Sequence, residues 1–139
     1  MKSKLLLLAL VFSTLVLFGF QALGPSKALA LTASVDIKPE TIYLDRKGRW
    51  ITVFISLEGY SASDIDGATI LLEGQFRPEW SNTEGDKLMV KFDGSSVTDY
   101  LWERLYHMGP RTSVELGVTG QLRDGTNLSG SDTVTVMKA

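Results

Sequence analysis

Trp50-Ile51-Thr52-Val53-Phe54-Ile55-Ser56-Leu57 is the stretch on which the fold turns. Ile51, Val53, Ile55 and Leu57 fall on one side, and Trp50, Thr52, Phe54 and Ser56 on the other. Period two in a run rich in β-branched and aromatic residues predicts a half-buried strand. Upstream, Ser34 to Lys38 alternates until Pro39 ends it, Ile42 to Leu44 resumes, and Asp45 to Gly48 turns the chain. Downstream, a loop over Glu58–Gly67 precedes a strand over Ala68–Glu73, and a second loop is expected over Gln75–Asp86. Lys87–Asp93, Ser113–Leu122 and Leu128–Met137 complete the strands, with Asp124-Gly125 as a two-residue hairpin signal between the last two. The inward set is Val35, Ile37, Ile51, Val53, Ile55, Ile70, Leu72, Leu88, Val90, Phe92, Val114, Leu116, Val118, Val134 and Val136.

One segment breaks the alternation. Ser96-Val97-Thr98-Asp99 fits a capping box, and Val97, Leu101 and Leu105 recur at four-residue spacing. A short helix is expected over Ser96–Tyr106, ended by Gly109-Pro110 and packed on a sheet edge or barrel end. About seven strands and one helix predict an all-β, immunoglobulin-like antiparallel sandwich. The same pattern is compatible with a small barrel, and the Cys–Trp–Cys framework of antibody domains is missing.

The N-terminus reads as an address. Lys2 and Lys4 precede an apolar run from Leu5 to Phe20, then Gly24-Pro25 and Ala28-Leu29-Ala30. A charged start, an apolar centre and a small-x-small end predict a secretory signal peptide over residues 1–30, with a domain over 31–139. The alternative is a retained anchor over residues 5–23, near the minimum that spans a bilayer. A membrane contact is expected only through this segment, and only if it is uncleaved.

Composition excludes several chemistries. The 139 residues hold no cysteine and one histidine, so thiolate catalysis, disulfides and Cys- or multi-His metal sites are ruled out. Residues 31–139 carry 11 basic and 16 acidic side chains, a net charge of −5. That balance argues against nucleic acid, which needs clustered Lys and Arg against phosphate.

The series Val35-Asp36-Ile37-Lys38-Pro39-Glu40-Thr41-Ile42-Tyr43-Leu44, Lys47-Gly48-Arg49-Trp50-Ile51-Thr52-Val53 and Ser63-Asp64-Ile65-Asp66-Gly67-Ala68-Thr69-Ile70-Leu71-Leu72 carries a resemblance. So do Leu88-Met89-Val90-Lys91-Phe92-Asp93 and Val118-Thr119-Gly120-Gln121-Leu122-Arg123-Asp124-Gly125-Thr126. Together they resemble a β-sandwich module of secreted archaeal and bacterial surface proteins. The resemblance implies an extracellular, non-enzymatic module. Similar modules often place an Asp-x-Asp-Gly-Asp-Gly loop, suited to calcium, before the strand matching Leu88–Asp93. Here Ser81-Asn82-Thr83-Glu84-Gly85-Asp86 stands there, shorter and with two carboxylates.

Three chemistries have candidate residues. Asn82, Glu84 and Asp86 alternate as calcium ligands do, with Asp93, or Asp64 and Asp66, as further oxygen donors. Trp50 and Phe54 on one strand face, with Trp80 in a loop, are candidates for a carbohydrate platform, and Trp102 and Tyr106 lie on the helix. The bland reading packs these rings into the core. His107 is the only imidazole and could in principle serve a serine such as Ser95 or Ser113, but no nucleophile elbow accompanies it and no catalytic residue is assigned. Asn127-Leu128-Ser129 is an N-glycosylation sequon. The expected role is non-enzymatic: adhesion or envelope assembly through a protein partner on the cell surface, with calcium or carbohydrate binding as the alternative.

Overall fold

The computed structural model describes residues 30–46 and 49–138. The signal-peptide and anchor readings fall outside the described residues, apart from Ala30. So do Lys47 and Gly48, in the expected turn after the strand at Ile42.

Among the described residues, nine strands, one α-helix and one 3-10 turn follow in order: β1 (Leu31–Thr32), β2 (Ser34–Lys38), β3 (Thr41–Tyr43), β4 (Trp50–Ser56), the turn Ala62–Asp64, β5 (Ile65–Leu72), β6 (Trp80–Glu84), β7 (Lys87–Asp93), α1 (Gly94–Arg104), β8 (Arg111–Leu122) and β9 (Asn127–Met137). One sheet has the order β2-β4-β7-β6. The other runs β9-β8-β5, with β1 and β3 both along the outer edge of β9. This is the strand order of an immunoglobulin sandwich: first, second, fifth and fourth strands in one sheet, seventh, sixth and third in the other. The protein is an immunoglobulin-like β-sandwich, and the barrel alternative is closed. Every pairing is antiparallel except those of β1 and β3 with β9.

The first strand is shared between the sheets. β1 lies on β9, β2 crosses to pair with β4, and the chain returns through the cis Lys38–Pro39 bond to set β3 on β9. Backbone bonds mark each crossing: Ala33 N–H donates to the Ser129 carbonyl (2.7 Å) and Thr135 N–H to that of Glu40 (2.9 Å).

The core is the inward half of each alternation. Ile51, Val53 and Ile55 of β4 pair with Phe92, Val90 and Leu88 of β7 and are buried. Ile70 and Leu72 of β5, Leu116 and Val118 of β8, and Val134 and Val136 of β9 face them from the second sheet. All expected inward residues are buried except Val35, which is half-buried at the rim. Ile42, Leu44, Leu57, Ile65, Leu122 and Leu128 also join the core.

Four boundaries differ from expectation. The stretch Gln75–Asp86 is not loop throughout, because β6 pairs antiparallel with β7 across its whole length. All five β6 residues are exposed, so no buried alternation announces it; the β7 backbone alone makes it a strand. β5 starts at Ile65, three residues early. The helix starts at Gly94, and its cap is Asp93, which accepts from Ser95 N–H (3.2 Å) and from the Ser96 hydroxyl (2.8 Å). The expected Ser96–Asp99 box therefore does not cap: strand β7 runs into the helix without a loop, and the carboxylate at the junction takes the amide of the second helical residue. The β8–β9 hairpin is longer than two residues. Leu122 N–H donates to the Thr126 carbonyl (2.8 Å), and Gly125 sits at φ +92°. That is a three-residue loop whose last residue needs the left-handed region, where glycine is free of Cβ strain.

Candidate functional site

The outer face of the β2-β4-β7-β6 sheet is built by the side chains that alternate with the core. On β4 these are Trp50, Thr52, Phe54 and Ser56; on β7, Lys87, Met89, Lys91 and Asp93. On β6 they are Trp80, Asn82 and Glu84, since Ser81 points inward toward the space beside Gly67. The register sets Thr52, Lys91 and Trp80 in one row, and Phe54, Met89 and Asn82 in the next. Trp50 stands opposite Asp93. The Lys91 ammonium lies 5.3 Å from the centre of the Trp80 ring, a cation–π contact. Trp50, Phe54 and Trp80 thus share one face, although Trp80 comes from a strand and not the expected loop. Trp50 is 50% and Trp80 43% exposed, so neither is core.

A second aromatic group sits at the end of α1. Trp102 meets Tyr106 edge-on at 6.4 Å, and Tyr106 meets His107 edge-on at 4.9 Å. Lys138 ties this group to the end of β9: its ammonium donates to the Tyr106 carbonyl (2.9 Å) and to that of Met108, and lies over the Trp102 ring. Beside Trp102 is a shallow groove of about 190 Å³, lined by Leu44, Asp45, Thr98, Asp99 and Lys138. His107 is exposed here. Ser95 lies in the first turn of α1, at the opposite end of the helix from His107, and Ser113 lies in β8 opposite Thr135.

The calcium candidates lie on one hairpin. Asn82 and Glu84 are on β6, and Asp86 is in its turn to β7. Asp93 is at the far end of β7, six residues or about 20 Å from Lys87, and it caps α1. Asp64 accepts from Ser61 N–H (2.9 Å), and Asp66 from Ala68 N–H (3.2 Å). Calcium takes six to eight oxygens, so three side chains of one hairpin fall short. Among the described residues no group of three or more His, Cys, Asp or Glu is placed to hold a metal.

Glu73, which the sequence did not single out, is the most connected carboxylate. Its Oε2 accepts from Gly117 N–H (2.6 Å), and its Oε1 from the Tyr100 hydroxyl (2.7 Å) and the Arg104 guanidinium (2.8 Å). Burial pushes its carboxyl up, but these three donors outweigh burial and hold it below the usual range. Burial, and then the bond to Glu73, push the Tyr100 hydroxyl up. This network fastens α1 to β5 and β8. The only advance sign of it is Glu73-Gly74 as a turn dipeptide.

The sequon residue Asn127 is exposed at the start of β9, its Oδ1 accepting from the Gln121 amide (3.2 Å). Among the described residues, no helix is long and apolar enough to cross a membrane.

No family model matches the sequence, and no curated protein matches it significantly. Among solved structures the chain is similar to the extracellular region of plexin A4. In a structure of its domains 1 to 8 the TM-score is 0.48 at 9% identity, over 76% of this chain and 10% of that one. In a structure of domains 1 to 10 it is 0.46 at 8% identity, over 76% of this chain and 8% of that one. The chain spans a tenth or less of either plexin chain.

Proposed function

We propose that this domain is a non-enzymatic module of the cell surface or the secreted space, working in adhesion or envelope assembly through contact with another surface protein. One observation carries the reading: all three tryptophans, Trp50, Trp80 and Trp102, lie outside the core and are 43–50% exposed. Among the described residues, Phe92 is the only aromatic residue in the buried cluster. Large rings left in water, grouped on one sheet face and at one helix end, are the residues that dominate protein interfaces. The sequence pattern of residues 1–30 supports the location.

The test uses intact cells that express the full chain. A membrane-impermeant amine label is expected to tag it without lysis. Cross-linking is expected to give a heavier species, which a Trp50→Ser/Trp80→Ser/Trp102→Ser variant loses while still melting normally, because exposed positions carry little stability. Labelling that occurs only after lysis overturns the location. Cross-links indifferent to the three substitutions overturn the surface.

Carbohydrate is the second reading, favoured by Trp50, Phe54 and Trp80 on one face with Thr52, Lys91 and Asn82 between them. Sugars stack on such rings and take hydrogen bonds from the polar groups beside them. Tryptophan emission that shifts with one member of a glycan panel, and not in Trp80→Ser, supports it; unchanged emission across the panel removes it.

A further inference from the structure

Each sandwich edge presents backbone groups that another strand can pair with, and stable proteins block them. Three of the four edges here are blocked among the described residues. On β2, the Ile37 N–H is taken by the Asp132 carboxylate at 2.8 Å. β1 and β3 are two and three residues long, and the chain leaves the sheet between them. β5 is irregular, with a register shift between Asp66 and Leu71, and Asp66 bonds within the strand to Ala68 N–H and the Thr69 hydroxyl. β6 is different. It keeps unbroken register with β7 over Trp80–Glu84, and it carries one charge, no lysine and no proline.

The tight turn at Gly85-Asp86 makes Glu84 and Lys87 a hydrogen-bonded pair. By the alternation of antiparallel pairs, Asn82 and Trp80 also bond to β7, while Ser81 and Thr83 turn their N–H and C=O groups to the open edge. Two copies of β6 laid antiparallel about a two-fold axis at Asn82 bring Ser81 of each against Thr83 of the other. Both outward residues then form full hydrogen-bonded pairs. In the same register Trp80 of one copy stands opposite Glu84 of the other on the outer face. Trp80 already holds the Lys91 ammonium 5.3 Å from its ring centre, and Glu84 sits beside Lys87. The row across the junction reads Lys91, Trp80, Glu84, Lys87, with alternating charge and no like charges facing. Sliding one copy by two residues sets Asn82 against Trp80 or Glu84, and sliding it by four sets Trp80 against Trp80 or Glu84 against Glu84; each loses that match.

We propose that β6 is a self-association edge, and that two copies of this chain join antiparallel through Ser81–Thr83 into a continuous eight-stranded sheet. A two-fold contact of this kind is self-complementary and closed, so it makes dimers and not fibres. It extends the aromatic outer face across both copies, and it holds wherever the chain resides.

The described core lies between Ala33 and Val136, and residues 31–139 form one compact unit. Sedimentation equilibrium of that domain is the test. Dimer is expected to build up between micromolar and near-millimolar concentration. Glu84→Lys sets a cation against the Trp80–Lys91 pair at two symmetry-related places and is expected to weaken the dimer about tenfold. Adding Lys91→Glu reverses the pair and is expected to restore it. Ser81→Pro removes an outward N–H without touching the bonds to β7 and is expected to abolish association; circular dichroism checks that it stays folded. A wild type that stays monomeric throughout overturns the proposal and leaves the edge to a strand of another protein. A dimer that ignores both Glu84→Lys and Ser81→Pro overturns it by placing the contact elsewhere.

Discussion

Glu73 concentrates opposing terms in one residue. Its backbone is in the left-handed region at φ 54°, which costs a non-glycine residue about 1–2 kcal/mol. Gly74 follows at φ 72°, so the pair forms the turn that ends β5. The cost is offset because the turn delivers the carboxylate to three donors on two other elements. All three partners donate, so both oxygens must be acceptors. Glu73→Gln turns an NH₂ toward a donor and is expected to lose about 1–3 kcal/mol of stability in chemical denaturation. The acid limb follows from the same network. A carboxyl held below its unfolded value of 4.5 stabilises the fold above that pH, and the contribution drains away as pH falls through the lower, folded value. The wild-type melting temperature is expected to fall faster than that of Glu73→Gln as pH drops below 4.5. Parallel slopes would show that the carboxylate is not held as described.

Among the elements, α1 shows how closely a helix can be joined to a strand. Asp93 ends β7 and caps the helix, and Gly94 opens it. A Cβ on Gly94 would stand 1.4 Å from the Arg49 carbonyl oxygen, so only glycine fits where the two backbones pass. Gly94→Ala is expected to cost about 3 kcal/mol or more, because the obstacle is backbone and cannot rotate away. A melt within a degree of wild type would mean that Arg49 yields freely. Further along, Thr98 is the one buried polar residue of the described core, and its hydroxyl donates to the Gly94 carbonyl at 2.6 Å. Val97, Leu101 and Leu105 then close the end of the sandwich, as their spacing predicted. The elements were legible wherever one face is buried and the other wet. β4, β7, β8 and β9 announce themselves through Ile51–Ile55, Leu88–Phe92, Val114–Val118 and Val134–Val136. β6 was not legible, since a strand exposed on both faces imposes no pattern on its side chains.

At the scale of the molecule, the two sheets divide the labour. One faces water through Trp50, Phe54, Met89 and Trp80 and ends in the open strand β6; the other takes the chain's first strand along β9 and closes its own edges. Leu31 pairs beside Leu128, next to the β8–β9 hairpin, while Lys138 bonds back to Pro110 at the helical end. The domain therefore begins at one pole and finishes at the other, where Trp102 and Tyr106 are exposed. The sequence by itself determined the class of fold, the inward residues and the helix that closes one end. These depend on hydrophobic alternation, which is local and written in order along the chain. It also placed Trp50 and Phe54 on a common outward face, because period two fixes that parity. Only the tertiary structure excluded the barrel and decided that Trp80 joins that face, that Glu73 gathers Tyr100, Arg104 and Gly117, and that β6 is the open edge. Each of those depends on which strands become neighbours, and register between distant segments is set by packing across the core, not by any residue read singly.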